Sequence, residues 1–269
     1  MFYDPIKYSL GKFFGQSVFL RRLFYSFLDL LLLRTWHIKR ELKVWKKTKP
    51  KNCSVLDAGS GFGQYVYFMS RLFPYWKVKG IDIKPEQVAD CNSFFKKINK
   101  QDSVNFEVAD LLSFKEKEQF ELILCVDVLE HIEEDRNVMK NFYQSLKVGG
   151  MLLISTPSDQ GGSDVHEEHN TSFIDEHVRD GYNINEIKEK LKITGFKNVK
   201  IKYSYGPPGK FSWKLSMKYP LILLNISKLF FIVLPFYYLV LSPFLLFLNY
   251  IDIYKFHKTG TGLIVKAYK

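Results

Sequence analysis

With 269 residues, 46% hydrophobic and 25% charged, the chain is too apolar to be disordered and long enough to bury a full core. Its net charge of +11 is uneven: residues 34–51 carry eight Lys and Arg against one acid, Glu41. That run is either a solvated helix face or a surface drawn to anionic lipid. Three cysteines, Cys53, Cys91 and Cys125, fit neither a disulfide framework nor a zinc site, and the start M-F-Y-D-P-I-K lacks the pattern of a signal peptide. The cysteine usage points to a reducing, cytoplasmic compartment.

In chain order, residues 1–16 read as irregular, broken by Pro5, Gly11 and Gly15. Residues 17–47 read as one long amphipathic helix. Phe19, Leu20, Leu23, Phe24, Phe27, Leu30, Leu31 and Ile38 form its apolar stripe, with Arg21, Arg22 and Asp29 mostly opposite. Residues 1–50 are therefore expected to be a helical extension, and 51–269 the main domain. There, strands at 53–57, 78–83, 104–108, 121–126 and 151–155 alternate with helices at 63–73, 85–99 and 133–146. Gly149-Gly150 reads as the turn that closes the third helix. This alternation predicts an α/β fold, a doubly wound and mostly parallel sheet with helices on both faces. A polar loop at 156–170, a helix at 184–194 and a strand at 199–205 follow.

The pattern then breaks. Residues 207–258 form an insertion before a last strand at 262–268, and 229–251 contains no charge in 23 residues, long enough to cross a bilayer. A single crossing would put the flanking strands on opposite sides of the membrane, although they look like sheet partners. Pro235 and Pro243 interrupt the run, as in a kinked or re-entrant hairpin, and Lys210, Lys214, Lys218, Lys228, Lys255 and Lys258 flank it. The expectation is a monotopic, membrane-dipping insertion; the alternative is a helical cap over the active site. Nucleic acid is not expected as a partner, because the basic residues flank apolar segments instead of interleaving with stacking aromatics.

The stretch V-L-D-A-G-S-G-F-G at 55–63 reads as a strand end, an acid and a glycine turn before a helix. Glycines there let a ligand approach the backbone, and the helix amides face it. The dinucleotide fingerprint fails, since Gln64 stands where its third glycine belongs, and Asp57 would repel a pyrophosphate. A carboxylate at that point suits a ligand with an ammonium group. No Lys-Ser/Thr pair follows, which excludes a Walker loop.

The D-A-G-S-G-F-G turn resembles motif I of class I S-adenosylmethionine-dependent methyltransferases, and the likeness runs from about Val55 to Pro157. It includes G-I-D-I around Asp82, A-D-L-L around Asp110, L-I-L-C-V-D-V-L-E-H-I after 122 and L-K-V-G-G-M-L-L-I-S-T-P after 145. The resemblance implies a Rossmann-like sheet ending in an antiparallel pair of strands, with S-adenosyl-L-methionine as cofactor. It implies a cofactor site of Asp57, Gly59, Ser60, Gly61, Gly63, Asp82, Ile83, Asp110, Leu111, Val126 and Asp127, with Asp82 on the ribose and Asp110-Leu111 at the adenine. Asp127, Glu130 and His131 resemble the E-x-x-E-H segment of ubiquinone-pathway O-methyltransferases, where it is associated with a divalent metal. No metal is expected here, since L-E-H-I also simply starts a helix in this superfamily.

His131 and His177 are the candidate catalytic residues. His177 lies in E-H-V-R-D-G-Y, which resembles the H-x-R-x-G-Y segment of many bacterial methyltransferases; with Arg179 and Tyr182 it could hold a substrate hydroxyl or anion, or form a structural turn. H-E-E-H at 166–169 has the wrong order for a zinc protease. The expected activity is methyl transfer, with O-methylation favoured, to a small lipophilic or membrane-associated acceptor at the inner face of the cell membrane. A quinone, an aryl-polyene or other lipid precursor, or a lipid-linked sugar would serve. The rivals are a soluble glycan or natural-product methyltransferase with the insertion as lid, and a non-catalytic cofactor-binding membrane scaffold.

Overall fold

The computed structural model describes residues 17–48, 52–161, 178–227 and 229–269. The expected irregular start, the H-E-E-H loop and His177 lie outside them. A seven-stranded sheet runs in the order β3-β2-β1-β4-β5-β7-β6. Its members are β1 (Ser54–Ala58), β2 (Lys77–Asp82), β3 (Val104–Val108), β4 (Phe120–Val126), β5 (Leu146–Pro157), β6 (Asn198–Ser204) and β7 (Gly262–Tyr268). The first five are parallel, and β7 runs antiparallel to both β5 and β6. The expected α/β fold is present.

Side-chain alternation builds a core on each face of the sheet. Val55, Leu122, Leu124, Met151 and Leu153 point to one face, Leu56, Ile123, Cys125 and Leu152 to the other. The first face is covered by α1 (Val18–Leu31), α2 (Leu33–Lys46), α3 (Gln64–Leu72) and α4 (Pro85–Lys97). The second is covered by α5 (Asp135–Ser145) and α6 (Ile184–Ile193). Local chemistry sets several helix ends: Pro85 opens α4, Asn183 caps α6 by accepting from the Asn185 amide at 2.9 Å, and Gly195 follows it at φ +113.

Four expectations need correction. The helix expected over 17–47 is two, broken at Leu32, whose backbone is extended at φ −93 and ψ 104. There the Arg34 amide donates to the Tyr205 hydroxyl at 3.1 Å. The amphipathic reading of its first half is partly inverted. Arg21 is buried and Phe19, Phe27 and Leu30 are exposed, because Arg21 ion-pairs with Asp90 and donates to the Phe62 carbonyl at 2.8 Å. Gly149 and Gly150 do not end a helix. They lie within β5, where the pairing with β4 shifts register. Finally, the insertion turns between Ile226 and Phe230, and both prolines lie inside one continuous helix.

The insertion is a helical hairpin. The outgoing arm comprises α7 (Pro207–Trp213), a π-helical turn (Lys214–Lys218) and α8 (Tyr219–Ile226); the return arm is α9 (Phe230–Tyr254). Polar bonds hold the arms together at intervals: Gly209 amide to Asp252 at 3.0 Å, Ser212 to Asn249 at 2.7 Å, and the Tyr237 and Tyr238 hydroxyls to the Leu215 and Ser216 carbonyls at 2.7 and 2.6 Å. At its base, the fully buried Asp252 also meets His37 of α2 at 2.8 Å and accepts from the Tyr205 amide at 3.2 Å.

Candidate functional site

The strand order reverses between β1 and β4, and their carboxyl ends leave the crevice where open α/β sheets bind ligands. The glycine turn follows β1 here. Gly59, Gly61 and Gly63 have φ of +77, +50 and +74, values that L side chains rarely adopt. A Cβ on Gly59 would also run into Val128. Around Gly61 the neighbouring space is open, the nearest atom to an added Cβ being Gln87 Oε1 at 3.9 Å. Gly63 leads into α3.

Three buried oxygens face no partner among the described residues: Asp57 Oδ2, Ser60 Oγ and Glu130 Oε1. Burial, reinforced by the nearby Asp82 charge, pushes the Asp57 carboxyl up to about 8. Asp82 ends β2 with its carboxylate fixed by two backbone donors, the Gly61 amide at 2.8 Å and the Lys84 amide at 3.0 Å. Next to it Ile83 is 64% exposed. Beyond β3, Asp110 Oδ1 accepts from the Leu112 amide at 2.9 Å, and Asn141 of α5 pins the turn by donating to the Leu111 and Leu112 carbonyls. Leu111 is buried while Asp110 is exposed. Thus Asp57, Ser60, Asp82, Ile83, Asp110 and Leu111 all sit at the carboxyl ends of adjacent strands.

Past β4, Val126 is half-buried and Asp127 has φ +51, an uncommon conformation for a residue with a side chain. Asp127 is ion-paired with Arg34 of α2, so the chain supplies its own cation to this acid. Glu130 and His131 follow on a short 3₁₀ turn, Leu129–His131. Glu130 is buried, accepts from the Thr156 hydroxyl at 3.0 Å, and is pushed up to about 8 by burial and then by Asp127. His131 is half-buried on the same turn. Among the described residues no group of three or more His, Cys, Asp or Glu is placed to hold a metal ion.

Arg179 and Tyr182 are committed elsewhere. Both bind Asp135 at the start of α5, joined by Lys190 at 2.8 Å, and Arg179 also donates to the Ile132 and Glu133 carbonyls. Tyr182 is fully buried. Of the two readings of this segment, the structural turn is the one that accounts for these two side chains.

Sequence reasoning missed how α1 and α2 close over the cradle. Arg21 and Tyr25 both donate to the Phe62 carbonyl within the glycine turn, the latter at 2.5 Å. Gln64 donates to Asp29 at 2.7 Å, and Thr35 meets the Tyr65 hydroxyl at 3.4 Å. A signal existed for one of these contacts: Gln64 departs from the dinucleotide pattern at a position that instead reaches α1.

A family model described as a methyltransferase domain matches residues 49–204, more than half of the chain. The chain belongs to the class I S-adenosylmethionine-dependent methyltransferases. This methyltransferase is 22% identical over 165 residues to malonyl-[acyl-carrier protein] O-methyltransferase 1 of Ilyobacter polytropus, covering 61% of this chain and 59% of that protein. It is 31% identical over 121 residues to the ubiquinone biosynthesis O-methyltransferase of Pelagibacter ubique, covering 45% and 49%. The matches thus span about half the length of these relatives. Phosphoethanolamine N-methyltransferase 2 of Haemonchus contortus, solved with S-adenosyl-L-methionine, shares the fold at a TM-score of 0.58, with 19% identity and coverage of 91% of this chain and 60% of that one. The cradle of the methyltransferase fits the family's cofactor. Two buried oxygens lack partners among the described residues, the turn is open at Gly61, and an acid ends β2.

Proposed function

We propose that this methyltransferase transfers the methyl group of S-adenosylmethionine to a small lipophilic acceptor held at a membrane, with oxygen as the receiving atom. When bound, the cofactor supplies an electrophilic sulfonium methyl. The residues that would hold it are Asp57, Gly59, Ser60, Gly61 and Gly63 around the methionine portion, Asp82 at the ribose, Ile83, Asp110 and Leu111 at the adenine, and Val126 and Asp127 beside the transferable group. Asp57 would then carry its negative charge against the ligand's ammonium.

What the protein must add is alignment of acceptor and donor, worth about 7–11 kcal/mol when well made. Proton removal from a hydroxyl adds roughly 10²–10⁴-fold. His131, on the turn after β4, is the candidate base in the described residues, and His177 stays a candidate from sequence alone. The Arg34–Asp127 pair ties α2 to the same edge, so α2 closes the acceptor side while α1 holds the glycine turn.

The observation that carries the acceptor class is the hairpin. Its return helix is 25 residues long, its most apolar 18-residue stretch has mean hydropathy 2.2 and is only 6% buried, and its base is bonded to α2 through Asp252 and His37. Because β6 and β7 pair side by side, both hairpin ends lie at one edge of the sheet, consistent with monotopic contact from the cytoplasmic side of a membrane. The O-methyltransferase names of two relatives support oxygen as the receiving atom.

The test is to incubate the full chain with methyl-labelled donor and either a total membrane lipid extract or the water-soluble extract of the same cells. Label should appear in an organic-phase product. Label confined to a water-soluble product would overturn the lipophilic reading and favour the hairpin as a lid.

A further inference from the structure

One face of α9 is exposed and apolar from the turn to the base, and near the turn Phe231 and Val233 widen it. On α9, Ile232, Phe236, Leu239, Val240, Phe247, Tyr250 and Tyr254 recur at helical spacing and are each between 56% and 75% exposed. The opposite side carries Tyr237, Tyr238, Leu245, Asn249 and Asp252 against the outgoing arm. The exposed stripe therefore runs from near the turn to the base, about 33 Å at 1.5 Å per residue. On the outgoing arm, Lys210, Lys214 and Lys218 follow one another at every fourth position. Lys218 stands nine residues before Ser227, roughly 13 Å from the turn.

Two upright arrangements conflict with this distribution. A hairpin standing through a hydrocarbon core of about 30 Å would hold Lys214 and Lys218 near its middle, where lysine is costly. A hairpin standing only one leaflet deep would bring those lysines to the headgroups but leave Phe247, Tyr250 and Tyr254 in water. Laying the hairpin flat immerses the whole stripe at one depth. It also sets the lysines of the outgoing arm at the headgroup level instead of in hydrocarbon.

We propose that the α7–α9 hairpin lies in the plane of the membrane, its outer α9 stripe sunk into the acyl boundary of one anionic leaflet. This rests on the membrane contact proposed above and specifies its geometry and partner. The sheet edge that carries the cofactor cradle is then held beside the headgroups, and an amphiphile can reach it without leaving the leaflet.

Depth measurement on the full chain tests it. Ile232→Cys, Leu239→Cys and Phe247→Cys place a single thiol near the turn, in the middle and near the base; the native Cys53, Cys91 and Cys125 are buried and do not compete for label. Each variant, carrying a polarity-sensitive fluorophore, is bound to vesicles of phosphatidylcholine and phosphatidylglycerol in equal parts, with lipid spin labels near the glycerol or near the chain end. All three labels should shift equally and be quenched more by the shallow spin label. A graded series, with the Ile232→Cys label deepest, would overturn the in-plane geometry while leaving membrane contact standing. No partition of the unmodified chain would overturn both. Lys214→Gln with Lys218→Gln should weaken binding to these vesicles about 30-fold and to pure phosphatidylcholine far less, at about fivefold per lysine near an anionic surface. Equal losses on both surfaces would contradict the anionic leaflet.

Discussion

Among the described residues, polar atoms at the carboxyl edge of the sheet are buried without partners, and apolar side chains along the hairpin are exposed without cover. Asp57 Oδ2, Ser60 Oγ and Glu130 Oε1 exemplify the first, Ile232, Phe236 and Val240 the second. Each arrangement costs free energy in the isolated chain. A buried unpaired polar atom costs about 1–3 kcal/mol, and exposed apolar surface forgoes about 25 cal/mol per Å². Neither defect is random, since one gathers at the topological switch point and the other forms a helical stripe. The contrast supports the proposal of two different complements: a polar, cationic ligand at one end and hydrocarbon at the other.

The largest effect is expected where the two regions are joined. Asp252→Ala leaves His37 and the Tyr205 and Gly209 amides without their shared acceptor. It should cost about 3–5 kcal/mol in denaturant unfolding. A loss under about 1 kcal/mol would mean that the hairpin base is not coupled to α2. Phe236→Ser with Phe247→Ser should leave stability within about 0.5 kcal/mol, both side chains being exposed. The same pair should weaken vesicle partition by about 10²-fold or more, at roughly 1.5–3 kcal/mol per buried Phe. Reversal of that pattern, with stability lost and partition kept, would make the stripe part of the fold.

Smaller effects concern the cradle. Arg21→Met removes one donor to the Phe62 carbonyl, although Tyr25 still donates to it. Calorimetry should register about tenfold weaker donor binding, near the value of one hydrogen bond. Unchanged affinity would remove α1 from the cofactor site.

The last prediction is a pH dependence. Asp57 moves from an ordinary 3.8 to about 8 by burial and then by Asp82, so between those values the folded chain holds a proton that the unfolded chain has released. Stability of the donor-free protein should therefore fall as pH rises from about 4 to about 8, and Asp57→Asn should flatten the slope. Glu130, raised from 4.5 to about 8, adds a second contribution of the same sign. Stabilisation by S-adenosylmethionine should grow with pH over this range, because its ammonium favours ionised Asp57. Thermal unfolding with and without donor checks both signs.

What the sequence disclosed about the fold and site follows from the range of the interactions involved. The glycine turn, Asp82 after β2 and the strand alternation are set within a few residues by backbone chemistry and side-chain period, and they are legible. The break at Leu32 depends on Tyr205, 173 positions away, and the burial of Arg21 depends on Asp90 and Phe62. No local pattern encodes those. Likewise the sequence left Arg179 and Tyr182 open between acceptor-site groups and a structural turn, because Asp135, which gathers both, lies more than 40 positions away. Pro235 and Pro243 misplaced the hairpin turn because they are tolerated within α9, whereas the chain reverses at Ser227, whose carbonyl accepts from the Phe230 amide at 3.1 Å. Asp252, the one acid among the flanking lysines, was the visible trace of the hairpin's attachment.

The central claim is that the cofactor cradle and the apolar stripe serve one reaction. The most direct measurement is the rate of methyl transfer from labelled S-adenosylmethionine into membrane lipid extract presented as vesicles, comparing the unmodified chain with Phe236→Ser/Phe247→Ser. Donor affinity should be equal in the two, and transfer into the organic phase should fall in parallel with vesicle binding. Undiminished transfer by a variant that no longer binds vesicles would contradict the account.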